Sequence, residues 1–275
     1  MQAQNYGVFS ARYGNVYTVR QAVQLFDRAF GKFDPQDDVW SANDGYVDAF
    51  RPTITSTPFP SEAAVRSSAA EHLACVRRVF AESDWIVLTL GLTEAWRSKL
   101  DGAVYPLAPG VSGGSYDPDR YEFVNFTALE VMDDLECFIR QVREINPVCR
   151  LILTVSPVPL IATYEPKHVL VATTYSKSAL RVAAEHVVRN FSDVYYFPSY
   201  EIVTSWVSGG RHFESDMRQV NSSGVDHVMR VFNKHFLGAA VAGSAPGLGM
   251  EPQVTAGIPL SSIVCDEEAI QASVS

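Results

Sequence analysis

Cysteine is scarce in this chain, with four in 275 residues (Cys75, Cys137, Cys149 and Cys265) and no C-x-x-C spacing. That is too sparse for a disulfide framework, and a reducing, cytoplasmic compartment is expected. The six histidines form no H-x-x-x-H or H-E-x-x-H pattern, so no metal is expected. Positive charge is in deficit: 22 Lys and Arg face 31 Asp and Glu, a formal net charge of −9. A phosphate backbone is bound by basic surface, so nucleic acid is excluded as a partner. Long apolar runs are missing as well. The longest charge-free apolar stretch, Leu151 to Tyr164, carries Pro157 and Pro159 and is too short to cross a bilayer. The first residues lack a basic segment followed by an apolar one, so no signal peptide is read. No glycine-rich loop follows a strand and opens a helix, which argues against a nucleotide cofactor. The expectation is an acidic, soluble protein with no cofactor and no membrane partner.

What remains is ample core material, 47% hydrophobic residues against 19% charged. The texture is uniform through Phe236 and then changes to Gly238-Ala-Ala-Val-Ala-Gly-Ser-Ala-Pro-Gly. From 238 onward there is no Lys or Arg, against the acids Glu251, Asp266, Glu267 and Glu268. Residues 1–237 therefore read as a folded domain and 238–275 as a Gly/Ala/Pro-rich acidic tail.

Five stretches read as helices. Thr18-Val-Arg-Gln21 and Thr127-Ala-Leu-Glu130 are capping boxes, each opening a stripe of apolar residues at helical spacing: Val19, Ala22, Val23, Phe26 and Phe30 in the first, Val131, Leu135, Phe138, Val142 and Ile145 in the second. Ser61 caps a helix bearing Val65, Ala69, Leu73, Val76 and Phe80. Ser176 is read as the cap of a helix to about Asn190. The last begins near Ser222 with Val225, Val228, Met229, Phe232 and Phe236 facing inward. Trp85–Leu90, Leu151–Val155 and Val194–Phe197 read as buried strands. The alternation of helix and strand implies α/β architecture with a mostly parallel sheet. Ligands of such sheets sit beyond the strand carboxyl ends, here Gly91-Leu-Thr-Glu94, Ser156-Pro-Val-Pro159 and Pro198-Ser-Tyr-Glu201.

Gly110-Val-Ser-Gly-Gly114 matches G-x-S-x-G, but an elbow serine needs a strand before it and a helix after it. Its flanks, Pro106-Leu-Ala-Pro109 and Ser115-Tyr-Asp-Pro118, permit neither, and a loop is expected.

Six phrases stand out: Tyr13-Gly-Asn-Val-Tyr-Thr18, Asp44-Gly-Tyr-Val-Asp-Ala-Phe-Arg-Pro52, Thr89-Leu-Gly-Leu-Thr-Glu-Ala-Trp96, Thr154-Val-Ser-Pro-Val-Pro159, Tyr175-Ser-Lys-Ser178 and Tyr196-Phe-Pro-Ser-Tyr-Glu201. In this order they resemble the GSCFA family, over roughly residues 6 to 236. The resemblance implies the SGNH hydrolase superfamily, a flavodoxin-like three-layer α/β/α sandwich, and ester or acyl chemistry. In that superfamily a serine near the N-terminus attacks, a Gly and an Asn build the oxyanion hole, and a late Asp-x-x-His supplies the base and its orienter. A serine needs such a base, and the tetrahedral oxyanion needs pre-aimed donors.

The departures are specific. The Gly-Ser-Cys-Phe-Ala segment that names the family is not in this sequence, so the domain is read as N-terminally incomplete, without the first strand and its nucleophile. Ser10, in Gly7-Val-Phe-Ser-Ala11, is only a superficial echo. Asp216-Met-Arg-Gln219 aligns with the terminal Asp-x-x-His but carries Gln where the base belongs, and an amide takes up no proton near neutral pH. By resemblance and position, the candidate catalytic residues are Asp216, Glu94 and His212 as substitute base. Asp216 also reads as a loop carboxylate or cap, Glu201 as a turn cap, and His212 as an ordinary loop histidine. Candidate oxyanion or substrate-binding residues are Gly14, Asn15, Gly91, Thr93, Ser156 and Glu201. Aromatic residues near the strand ends (Tyr13, Tyr17, Trp96, Tyr200, Trp206) suit either packing or a sugar ring.

The reading is an SGNH-like esterase or O-acyltransferase for a carbohydrate or other small acylated hydroxyl compound, inactive as this chain. The alternative is a non-catalytic module binding a glycan or a partner in the same crevice. A missing central strand would leave a groove beside its neighbour, filled by the tail or by the N-terminal residues.

Overall fold

The structure, a computed structural model, describes residues 10–237. The expected acidic tail lies outside the described residues. Helix α1 (Val19–Ala29) opens on Thr18, whose hydroxyl accepts the Gln21 N–H while Gln21 Oε1 accepts the Thr18 N–H at 2.9 Å. Strands β1 (Val39–Ala42) and β2 (Gly45–Asp48) form an antiparallel hairpin. Helix α2 (Glu62–Glu82) is capped by Ser61 and leads into β3 (Trp85–Leu90).

A second antiparallel sheet follows, in the order β5-β4-β6, from β4 (Glu94–Ser98), β5 (Val104–Tyr105) and β6 (Tyr121–Asn125). Helix α3 (Ala128–Ile145) carries the second capping box, Thr127 with Glu130. Then come β7 (Arg150–Val155), α4 (Val169–Asn190), β8 (Val194–Tyr196), the short α5 (Ser199–Thr204), a 3-10 turn at Trp206–Ser208, and α6 (Ser222–Phe236).

The protein is thus mixed α/β, and the three expected strands form one parallel sheet in the order β3-β7-β8. The two small antiparallel sheets were not expected. Strand β7 is the spine: paired on both sides, it is buried from Leu151 to Val155. Leu151, Leu153 and Val155 join the main core with Phe26 of α1, Leu135, Phe138 and Ile139 of α3, and Leu180 and Val187 of α4. Thr154, on the opposite face of the strand, lines a cavity beneath α6.

Three expectations need correction. Strand β3 is not buried: Trp85, Val87 and Thr89 are exposed and only Leu90 is buried. The reason is topological, since among the described residues β3 pairs with β7 alone. Helix α4 begins at Val169 on a His168 cap, not at Ser176, which is an interior, buried residue of the helix. The apolar stripe of α6 is not packed away either. Gly224 is the helix's only buried residue, and Val225 and Met229 remain exposed.

The consequence is a slot. Val87 and Thr89 of β3 line two cavities at once. One is about 540 Å³, walled by Leu25, Phe80 and Phe138 and by the Tyr13–Val16 segment. The other is about 480 Å³, walled by Val225, Met229 and Phe232 of α6. Among the described residues, neither lining includes a Lys, Arg, Asp or Glu. Among the described residues, no helix is long and apolar enough to cross a membrane.

Candidate functional site at the strand ends

The Tyr13–Val16 segment lines the larger of these cavities, and a buried ion pair supports it. Arg51 and Asp48, three residues apart at the end of the hairpin, are 2.8 Å apart. Arg51 Nη1 also donates to the Arg12 carbonyl at 3.3 Å. Gly14 lies on the arginine's stem with φ +68, where a Cβ would stand 3.0 Å from Arg51 Cγ. A side chain is excluded there twice, by the left-handed backbone and by the contact. Gly14 and Asn15 thereby line the larger cavity beside Thr89.

At the carboxyl ends of β3 and β7, Gly91, Ser156 and Lys177 share a small cavity of about 80 Å³. Gly91 is bound tightly there. Its N–H donates to the Tyr17 carbonyl at 3.0 Å, and its own carbonyl accepts Lys177 Nζ at 2.6 Å. Ser156 Oγ accepts the Val158 N–H at 3.2 Å. Thr93 is fully buried: its N–H donates to Ser176 Oγ at 3.0 Å and its hydroxyl to Asn125 Oδ1 at 2.7 Å. The donors of Gly91 and Thr93 are therefore spent inside the fold.

Glu94 lines an adjoining cavity that shares Tyr17, Leu92 and Leu160 with the first. Its Oε1 accepts the Thr163 hydroxyl at 2.6 Å. Burial pushes its carboxyl above the usual carboxylate range, while the Thr163 hydroxyl and the Tyr164 N–H act in the other direction.

The remaining candidates lie elsewhere. Glu201 accepts Arg181 Nε at 2.9 Å and the Tyr196 hydroxyl at 2.9 Å, a bracing role at the start of α5. Asp216 and His212 sit on the loop between the 3-10 turn and α6, whose Val220 lines the cavity under α6. Asp216 Oδ1 accepts the Arg218 and Gln219 N–H groups at 2.8 and 3.0 Å, and these bonds hold its carboxyl below the usual range. His212 packs against Gly224 and edge-on to His227, with ring centroids 5.4 Å apart, and its buried Nδ1 has no hydrogen-bond partner among the described residues. Ser10 is exposed, its hydroxyl accepting the Arg12 N–H. The Gly110–Gly114 segment is a loop packed on β1, Gly114 N–H donating to the Ser41 carbonyl at 2.7 Å.

Two residues went unnoticed in the sequence. Lys177, only 2% exposed, anchors the Gly91 turn, and Asn125 ties Thr93 to Glu165 through bonds of 2.7 and 3.0 Å. The Tyr175-Ser-Lys-Ser phrase carried a signal for the first; nothing in the sequence marked the second.

Neither the curated proteins nor the solved structures compared with this chain include a match. The GSCFA family model matches residues 1–232, in keeping with the six phrases and the strand-end site they build. The chain belongs to the GSCFA family.

Proposed function

We propose that this chain is the scaffold of an SGNH-like esterase or O-acyltransferase acting on a carbohydrate or other small acylated hydroxyl compound. The domain is residues 1–237, and 238–275 is an accessory tail. In this reading the architecture is a flavodoxin-like sandwich, and the slot beside β3 belongs to the strand that bears the attacking serine. The slot is the observation that carries the reading. An apolar strand edge flanked on both faces by uncharged cavities is the environment of an interior strand.

A serine at the carboxyl end of that strand would stand near Gly14 and Asn15, which supply oxyanion donors. Its proton would pass to a base on the loop of His212 and Asp216. The acyl group then transfers to serine oxygen, and the departing alkoxide takes the proton back. No cofactor is required, and a cytoplasmic setting suits the free thiols. The second reading is a binding module without turnover. It is favoured by the spent donors of Gly91 and Thr93 and by Gln219 standing where a base would.

Activity labelling tests the first reading. The 275-residue chain should neither hydrolyse p-nitrophenyl acetate nor react with a fluorophosphonate. A form extended upstream to an in-frame Gly-Ser-Cys-Phe-Ala should be labelled at that serine. Labelling of any serine within the 275 residues would sink the slot argument, and silence of the extended form would favour the binding module.

A further inference from the structure

The cavity beside the strand ends has a composition that acyl transfer does not require. Glu94 and Trp96 are two residues apart on β4 and so project from the same face. The antiparallel register sets Phe123 of β6 opposite Trp96, with ring centroids 6.0 Å apart. Tyr164 closes the group, 4.9 Å from Trp96 at 89° and 5.5 Å from Phe123. These three rings and Glu94 border a volume of about 230 Å³ whose lining, among the described residues, contains no Lys, Arg or His.

Glu94 also lacks an ion-pair partner among the described residues. Arg97, three residues along β4, pairs with Glu122 at 2.6 Å, and Lys167 lies 3.4 Å from Glu165; the opposed charges of Glu165 and Lys167 both act on Glu94 from beyond ion-pair distance. The carboxylate is thus partly desolvated and, among the described residues, without a direct ion pair, beside aromatic faces whose quadrupoles favour positive charge. A neutral apolar ligand would bury the carboxylate further with no compensation, and an anion would be repelled. A cation satisfies both features. Because the walls are rings and apolar side chains rather than acceptors, a cation with alkyl groups on nitrogen fits better than one that must donate several hydrogen bonds.

We propose that this cavity binds an alkylated ammonium group carried on a small molecule, with Glu94 as counter-ion and the rings of Trp96, Phe123 and Tyr164 as its walls. The site is independent of the acyl chemistry proposed above, because binding is read at equilibrium and needs no nucleophile.

Isothermal titration calorimetry of the 275-residue chain with choline chloride tests it, using 3,3-dimethylbutan-1-ol as the uncharged isostere and sodium chloride as the salt control. Saturable choline binding is expected, with the isostere weaker by about tenfold, the scale of a desolvated cation–π contact. Glu94→Gln should weaken choline by about tenfold or more and leave the isostere unchanged. The amide can still accept from Thr163, so the loop is retained. Tyr164→Leu, at a 54% exposed position, should weaken choline without lowering the thermal midpoint. Equal affinity for the two probes, choline binding indifferent to Glu94→Gln, or no saturable choline binding would each overturn the proposal. These outcomes are separate from those of serine labelling.

Discussion

Gly14 rests on the aliphatic stem of Arg51, so the first phrase that marks the family stands on the second. A Cβ at position 14 would lie 3.0 Å from Arg51 Cγ and 3.2 Å from its Cβ. Beneath that contact the Arg51–Asp48 pair is 2.8 Å long, with 1% of each side chain exposed. Asp48 also accepts the Phe50 N–H at 2.9 Å. The Tyr-Gly-Asn segment thus owes its position to a charge pair almost forty residues away.

Breaking that pair from one side leaves a buried charge without its counter-charge. Arg51→Met or Asp48→Asn alone should lower unfolding stability by about 3–5 kcal/mol in urea titrations. The double variant should recover part of the loss, because both charges are then gone. A single substitution costing under about 1 kcal/mol would mean that the pair behaves as a solvated one.

His72 links the same region to pH. It is 4% exposed, and its Nδ1 lies 2.5 Å from the Ala11 carbonyl. Burial, with Arg51 and Arg28 adding repulsion, lowers its pKa to about 4. The unfolded chain, with an ordinary imidazole, binds a proton below about pH 6.5 where the folded chain does not. The stability contributed by this group is therefore complete above that range and is lost as the pH falls toward 4. The loss approaches about 3 kcal/mol for a shift of that size. His72→Gln should flatten the stability profile between those two pH values; an unchanged slope would show that other groups carry it.

The local signals in the sequence translate directly where they depend only on neighbours. The capping boxes at Thr18 and Thr127 and the cap at Ser61 are all in place, because a cap is decided within four residues. Signals that need distant partners misled. Trp85–Leu90 reads as a buried strand by composition, yet among the described residues it is paired on one side only and just Leu90 is buried. Val169-Leu-Val-Ala-Thr-Thr174 is β-branched and suggests no helix, but it forms the first turns of α4 on the His168 cap, with Ala172 alone of the six buried. The sheet of β4, β5 and β6 was hidden because its strands are short, β5 having only two residues. At the site, Glu94 and Ser156 were legible from their place after strands. The engagement of Thr93 was not, since its partners Ser176 and Asn125 are 83 and 32 residues away.

Thr18→Ala should cost about 1 kcal/mol by removing the hydroxyl that accepts the Gln21 N–H, leaving only the reciprocal bond from the Thr18 N–H to Gln21 Oε1. Thr18 is 3% exposed, so water cannot take the place of the lost hydroxyl and the cost should fall in the upper part of the usual range. Thr127→Ala, at an exposed cap, should cost less. Chemical denaturation of the two variants under identical conditions checks the order, and the reverse order would contradict the burial argument.

Gly45 should tolerate no side chain. Its φ is +153, and a Cβ there would stand 2.3 Å from the Phe59 carbonyl oxygen, a backbone atom that cannot swing aside. Next to it, Tyr46 and Phe59 exchange backbone hydrogen bonds of 2.9 and 2.7 Å. Gly45→Ala therefore has to part the hairpin from that segment. The expected loss is about 1–3 kcal/mol, the scale of a residue held in a sparsely populated conformation, read by thermal or urea unfolding.

The open edge of β3 predicts association rather than instability. Val87 is 54% exposed in the middle of an apolar strand that, among the described residues, is paired on one side only, the kind of edge along which chains add to one another. A lysine there should leave unfolding stability within about 0.5 kcal/mol, because little is buried. The same substitution should reduce concentration-dependent light scattering and binding of a hydrophobic dye. Val76→Lys, at a residue with no exposed surface, provides the contrast and should unfold the chain. If Val87→Lys proved as damaging as Val76→Lys, the edge would have to be covered in solution, and β3 would then be an interior strand in the chain as it stands.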